Sequence, residues 1–184
     1  MDKREEKTLA KVYAAFVYLI QEKGFDSIRI ADILEEGHIS RSTFYQHFKT
    51  KDDVLKSVVH HIFEHVFSAH LTKEKNHDFS HSSAFDYEHM ITHIFYHFQE
   101  QKDLIKAILS SSASYLFLRE LKENSEDLIS ALISSGKVVK KDIPLDMWKS
   151  QLLSGFVSIL SYWIEDDCKQ HPEEISAYFF KIYQ

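Results

Sequence analysis

Ile28–Leu55 reads IRIADILEEGHISRSTFYQHFKTKDDVL. Ile30, Ile33 and Leu34 recur at the three- and four-residue spacing of one helix face, which predicts a short helix over about Ile28–Glu36 with Ser27 as its N-cap. Gly37-His38-Ile39 makes a tight turn. Ser40 is placed to cap a second short helix, about Arg41–His47, with Phe44 and Phe48 as buried anchors. Thr50 then caps a longer helix whose first turn carries Asp52 and Asp53, where the helix dipole favours acids. Helix, tight turn, helix and basic step is the order that decides the fold.

Outward from this stretch the chain reads as helical throughout. Leu9, Val12, Tyr13, Phe16, Leu19 and Ile20 give one apolar face to a first helix over about Lys3–Lys23, and Gly24 is its stop. The helix after Thr50 is expected to reach about Leu71, with Val54, Leu55, Val58, Val59, Ile62, Phe63, Val66 and Phe67. Residues 72–83 are polar and aperiodic, a loop. Further helices are expected over about Ala84–Gln101, around Leu104–Leu109, over about Ala113–Ser135 (one helix or a kinked pair), Leu145–Asp167 and Pro172–Tyr183. Pro144 and Pro172 suit helix starts, because proline is tolerated in a first turn. No alternation is long enough to propose a sheet. The expected class is all-α: an N-terminal three-helix head over 1–50, and a helical bundle over 51–184.

Bulk properties agree. Four Gly and two Pro in 184 residues leave little material for many tight turns. No apolar run approaches the roughly 20 residues of a membrane span. The charged N-terminus lacks the apolar core of a signal peptide, so a cytoplasmic location is expected. The single Cys168 excludes an intramolecular disulfide and a Cys-based zinc site. The net charge of −6 is unevenly spread: nine Lys/Arg stand against eight Asp/Glu up to Lys51, and 13 against 20 beyond it. Gly37–Lys51 carries Arg41, Lys49 and Lys51 and no acid. That is a small basic face on an acidic protein.

The second short helix has the chemistry of a groove reader. A helix fits the major groove of B-DNA and a preceding helix can brace it. Its outward positions are Ser40, Arg41, Ser42, Thr43, Tyr45, Gln46 and His47. Short hydroxyls allow close approach, Arg can fork onto a guanine, and Gln onto an adenine. Lys49 and Lys51, and the amides that open the next helix, could meet phosphates. On residue types alone, a polar helical hairpin on the surface of an ordinary bundle explains these features equally well.

Phe25-Asp26-Ser27-Ile28 with Ile33, then Ser40-Arg41-Ser42-Thr43-Phe44-Tyr45, His47-Phe48-Lys49 and Lys51-Asp52-Asp53-Val54-Leu55, resembles the DNA-binding head of TetR-family transcriptional regulators. The resemblance covers roughly residues 8–56. It implies a helix-turn-helix domain whose recognition helix is Arg41–His47. It implies phosphate contacts from Tyr45, Lys51 and some of Ser40, Arg41 and Thr43. It places Ser42, Gln46 and His47 near base edges or phosphates, with Ser27 and Lys49 among the DNA-facing residues. One position departs: where members commonly carry Ala-Gly in the turn, this chain has Gly37-His38, so His38 is expected to take the left-handed conformation.

The same resemblance implies a homodimer on double-stranded DNA. It implies a repressor that binds a palindromic operator and is released by a signal at the C-terminal domain. Control by a protein partner instead of a small-molecule inducer, or action as an activator, are the alternatives. The dimer would form through the last two long helices, with Leu153, Phe156, Leu160, Trp163 and Phe179 as candidates for core or interface. Phe95, Phe98, Tyr115 and Phe117 are candidates for a hydrophobic ligand pocket, against the plainer reading of ordinary core and surface aromatics.

No cofactor, no metal site and no catalytic residue is assigned. A carboxylate-bridged metal bundle needs two Glu-x-x-His pairs on facing helices. The chain offers Glu74-Lys75-Asn76-His77, in the polar loop. An enzyme is therefore not expected. Twelve histidines include His61 with His65, and His89, His93 and His97, at four-residue spacing along helix faces. That spacing permits metal binding or a pH response, but solvated histidines are the simplest reading.

Overall fold

The computed structural model describes residues 3–66, 74, 78–81 and 86–184, with the backbone alone at 3, 4, 65 and 66. Among these residues the helices are α1 (Lys3–Lys23), α2 (Ile30–Glu36), α3 (Arg41–His47), α4 (Lys51–Val66), α5 (Tyr87–Glu100), α6 (Lys102–Leu109), α7 (Ser114–Ser134), α8 (Leu145–Glu165) and α9 (Pro172–Tyr183). The class is all-α, as expected. The expectations for Phe67, Leu71, His77 and Ala84, for most of the 72–83 loop, and for the side chains of His65 and Val66, fall outside the described residues. Among those described, no helix is long and apolar enough to cross a membrane.

α3 and α9 begin and end as expected, and α1 ends at Lys23 as expected. The start of α2 differs. Phe25–Ser27 forms a single 3-10 turn, and the N-cap of α2 is Arg29, not Ser27. The Asp32 carboxylate reaches back to the Arg29 amide at 2.7 Å, satisfying one of the helix's orphan donors. α5 starts at Tyr87, with Asp86 accepting from the His89 amide. α7 is one helix, and the serines before it close a turn.

The chain divides into two compact units, Met1–Ile62 with Asp103–Glu120, and Phe63–Lys102 with Leu121–Gln184. The core of the first is Val12, Phe16, Leu19, Ile20, Phe25, Ile28, Ile33, Phe44, Phe48, Val54 and Leu55, with α1 packed on α2. Each fully buried Phe contributes about 1.5–3 kcal/mol by leaving water.

In the second unit α9 packs on α5 and α8. Phe95 stacks against Phe156 and Trp163, and Phe156 against Phe98 and Phe179, at centroid distances of 5.3–6.5 Å. The Trp163 indole donates to the Gln170 carbonyl across the α8–α9 corner at 2.9 Å. Gly155 on α8 has a packing reason: a Cβ there would lie 1.6 Å from the Tyr183 hydroxyl.

The candidates for the dimer interface and for the pocket lie as follows. Phe156, Leu160, Trp163 and Phe179 are buried within the chain itself and serve its core, while Leu153 is half-buried. The outward face of α8 and α9 instead carries Ile159, Tyr162, Tyr178 and Ile182, with Tyr162 63% and Ile182 61% exposed. Of the pocket candidates, Phe95 and Phe98 are consumed in the ring stack and Phe117 is fully buried. Tyr115 is 65% exposed, with the Arg119 guanidinium over its ring.

Candidate nucleic-acid interface

The turn between α2 and α3 is closed by backbone bonds. Ile39 N–H donates to the Leu34 carbonyl at 3.0 Å and His38 N–H to Glu35 at 3.2 Å, the paired bonds of a Schellman cap. His38 holds the left-handed position with φ +50°, as the sequence departure implied. Gly37 is not left-handed (φ −77°). The space around it is tight: a Cβ would meet the tip of the Ile39 side chain at 2.7 Å and the Ile33 carbonyl oxygen at 3.0 Å, so an alanine there would need the Ile39 side chain to turn aside.

α3 opens on Ser40, whose Oγ accepts from the Thr43 amide at 3.1 Å and lies 2.8 Å from the Thr43 hydroxyl and 3.0 Å from that of Ser42. Phe44 and Phe48 are buried, 5.7 Å apart between ring centres, and pin one side of the helix. With that side fixed, the helical period turns Ser42 and Gln46 to the opposite side and Tyr45 to the flank between. Ser27, Ser40, Arg41, Ser42, Tyr45, Gln46 and Lys49 are all exposed, and Thr43 is half-exposed. Tyr45 keeps half its surface free while its ring edge rests on Phe44 at 5.5 Å. Thus α3 offers hydroxyls, a guanidinium, a carboxamide and a phenol from one short, anchored helix. His47 is set apart from that row: it is half-buried, its ring lies beside Phe48, and its Nδ1 is 3.8 Å from the Glu5 carboxylate.

Lys51 has a role that sequence reasoning missed. Its Nζ donates to the carbonyls of Phe25 at 2.9 Å and Asp26 at 3.2 Å, and stands 4.4 Å from the centre of the Phe25 ring. The ammonium is thus a clamp on the turn after α1. An ammonium has three donors, so one is left over for an anion.

The start of α4 is also committed. The Asp53 carboxylate accepts from the amides of Lys49 (3.1 Å) and Thr50 (2.9 Å), and the Thr50 hydroxyl accepts from the Asp53 amide (3.1 Å). Burial works to raise the Asp53 carboxyl, but the bonds from Thr50 and Lys49 prevail and hold it below its ordinary value.

A second tie within this unit joins the Phe25–Ser27 turn to the start of α7. The Ser112 amide donates to Asp26 at 3.3 Å and the Ser112 hydroxyl to its other carboxylate oxygen. The Ser112 hydroxyl, then its amide, hold the Asp26 carboxyl below its usual range. No local sequence signal links two residues so far apart in the chain.

Residues 13–58 match the family described as bacterial regulatory proteins of the tetR family, and 86–184 match the family described as a transcriptional regulator C-terminal region. A Haemophilus influenzae protein, described as an uncharacterized HTH-type transcriptional regulator, is 28% identical over 124 residues. That match spans 65% of this chain and 62% of the relative, so the chain covers under two thirds of the relative's length. A TetR transcriptional regulator from Streptococcus agalactiae superimposes with a TM-score of 0.77 at 28% identity, over 98% of this chain and 96% of that one. A TetR-family structure from Syntrophomonas wolfei shares the fold, with a TM-score of 0.68 at 19% identity over 96% and 93% of the two chains. The C-terminal match alone takes in more than half of the sequence, and it is joined by the match to the head. The chain belongs to the TetR family of DNA-binding transcriptional regulators.

Proposed function

We propose that this regulator is a homodimeric repressor that reads a palindromic operator through α3 and leaves it when a signal engages the C-terminal unit. The observation that carries the reading is the outward row Ser42, Tyr45 and Gln46, with Arg41 beside it, on a helix pinned by Phe44 and Phe48. Arg41 and Gln46 are the base-reading candidates. Ser40, Thr43, Tyr45, Lys49 and the remaining donor of Lys51 serve phosphates, and Ser27 flanks them. Action is by binding, without catalysis.

Dimerisation follows from what α8 and α9 leave uncovered. Ile159, Tyr162, Tyr178 and Ile182 line an open groove of about 560 Å³ on the outer side of these helices. Two copies meeting there would bury that apolar surface, and a twofold dimer suits a palindrome with half-sites about 34–36 Å apart. Control by a protein partner, or activation in place of repression, are the competing outcomes.

Selection from random duplexes tests this reading. The expected product is an inverted repeat bound by two chains, with Arg41→Ala and Gln46→Ala each relaxing preference at one base pair per half-site. Recovery of no sequence preference, or of single asymmetric sites bound by one chain, would count against it.

A further inference from the structure

We propose that Glu74, His93 and His97 form a binding site for a divalent transition-metal ion, Zn²⁺ foremost. His93 and His97 lie one turn apart on α5, so their rings share a face. Both are buried, 1% and 4% exposed, although imidazoles usually keep contact with water. Their Nε2 atoms are 3.2 Å apart, with the rings nearly perpendicular at 84°. The Glu74 carboxylate, from the segment before α5, comes within 3.4 Å of the same His97 Nε2. The three donor atoms all lie within 4.8 Å of one another.

These separations match a coordination polyhedron. Zinc binds imidazole nitrogen and carboxylate oxygen at about 2.0–2.2 Å in tetrahedral geometry, which puts neighbouring donors about 3.3–3.5 Å apart. Two of the three edges, 3.2 and 3.4 Å, already fall within about 0.1 Å of that range. Closing the third needs a small shift of the half-buried Glu74 side chain.

The surroundings fit as well. Behind His97, Nδ1 lies 3.4 Å from the Glu100 carboxylate. A carboxylate there holds the proton on Nδ1 and leaves the Nε2 lone pair for a metal. The Phe79 ring stands edge-on to His93 at 6.1 Å and also abuts Tyr96, an apolar wall that limits water. Two imidazoles and one carboxylate suit Zn²⁺, Co²⁺ or Ni²⁺ better than Mg²⁺ or Ca²⁺, which take oxygen ligands. Three protein donors leave a fourth position for water or a further ligand. The site would tie the segment holding Glu74 to α5.

The competing explanation is an imidazole–imidazole hydrogen bond flanked by carboxylates, with no metal. The full chain, stripped with chelator and titrated with Co²⁺ as a visible-absorption probe, separates the two. The expected result is one cobalt per chain, with the intense bands of tetrahedral coordination, displaced by Zn²⁺. His93→Gln or His97→Gln should lower affinity by more than about 100-fold, and Glu100→Gln, acting through His97, by about 10–100-fold. Glu74→Gln changes a half-buried group and keeps the fold, so it decides the matter if the histidine variants unfold; it should lose the tetrahedral bands. His60→Gln, at an exposed histidine of α4, should change nothing. A wild-type chain that takes up no cobalt would overturn the site. So would Glu74→Gln and His97→Gln variants that bind cobalt as the wild type does.

Discussion

The Lys51 ammonium lies 2.9 Å from the Phe25 carbonyl oxygen and 4.4 Å from the centre of the Phe25 ring. A lysine that the family resemblance assigns to phosphate also holds the turn joining α1 to α2. Neighbouring Lys49 is exposed. Two lysines two residues apart thus have separable roles. Lys51→Met should cost about 1–2 kcal/mol in urea unfolding, through two charge-assisted bonds and a cation–π contact. Lys49→Ala should leave stability within about 0.5 kcal/mol of wild type.

Lys49→Ala should weaken binding to all duplexes about equally and lower the slope of log K against log salt by about one. Fluorescence anisotropy titrations at several salt concentrations measure both quantities.

His38 holds a positive φ that glycine adopts without a steric cost. His38→Gly should therefore raise stability by about 0.5–1 kcal/mol, and His38→Val should lower it by at least as much. Thermal unfolding of the two variants gives the comparison.

Gly155 admits the Tyr183 phenol against α8. Gly155→Ala should destabilise the chain by about 1–3 kcal/mol through overpacking. If the contact is the cause, Gly155→Ala combined with Tyr183→Ala should cost less than the sum of the two single changes.

Asp26, Asp32 and Asp53 are each held below the ordinary carboxylate value of 3.8 by hydrogen bonds: from Ser112 to Asp26, from Lys23 and the Arg29 amide to Asp32, and from Thr50 and Lys49 to Asp53, where burial opposes the shift. A carboxylate with a depressed folded-state pKa adds stability that is present above its unfolded pKa and is lost as pH falls through the folded one. Unfolding midpoints should accordingly be flat with respect to these groups above about pH 5 and fall below about pH 4. Asp26→Asn should shrink that acid-side drop.

Much of the fold was legible because local signals agreed. The Ser40 cap and the Gly24 stop each act within about one helical turn of their own residue, and the Phe44 and Phe48 anchors stand out by their four-residue spacing. The start of α2 misled, since Ser27 looks like a cap while the acid that closes the helix is Asp32, three residues after Arg29. What could not be read was set by partners distant in sequence. Phe156, Trp163 and Phe179 have the same apolarity whether they face their own chain or a copy. Lys51 finds its carbonyls at Phe25 and Asp26 through the fold alone. The four-residue spacing of His93 and His97 was visible, but the Glu74 carboxylate joins them only in three dimensions.

The central claim is that α3 and the basic step after it bind DNA. Its most direct test is the affinity of wild type and of a Tyr45→Ala/Lys49→Ala double variant for a selected duplex at two salt concentrations, with folding checked by circular dichroism. The double variant should keep its fold, lose affinity, and show a shallower salt dependence. Equal affinities and equal slopes in the two proteins would contradict a DNA-binding role for these residues.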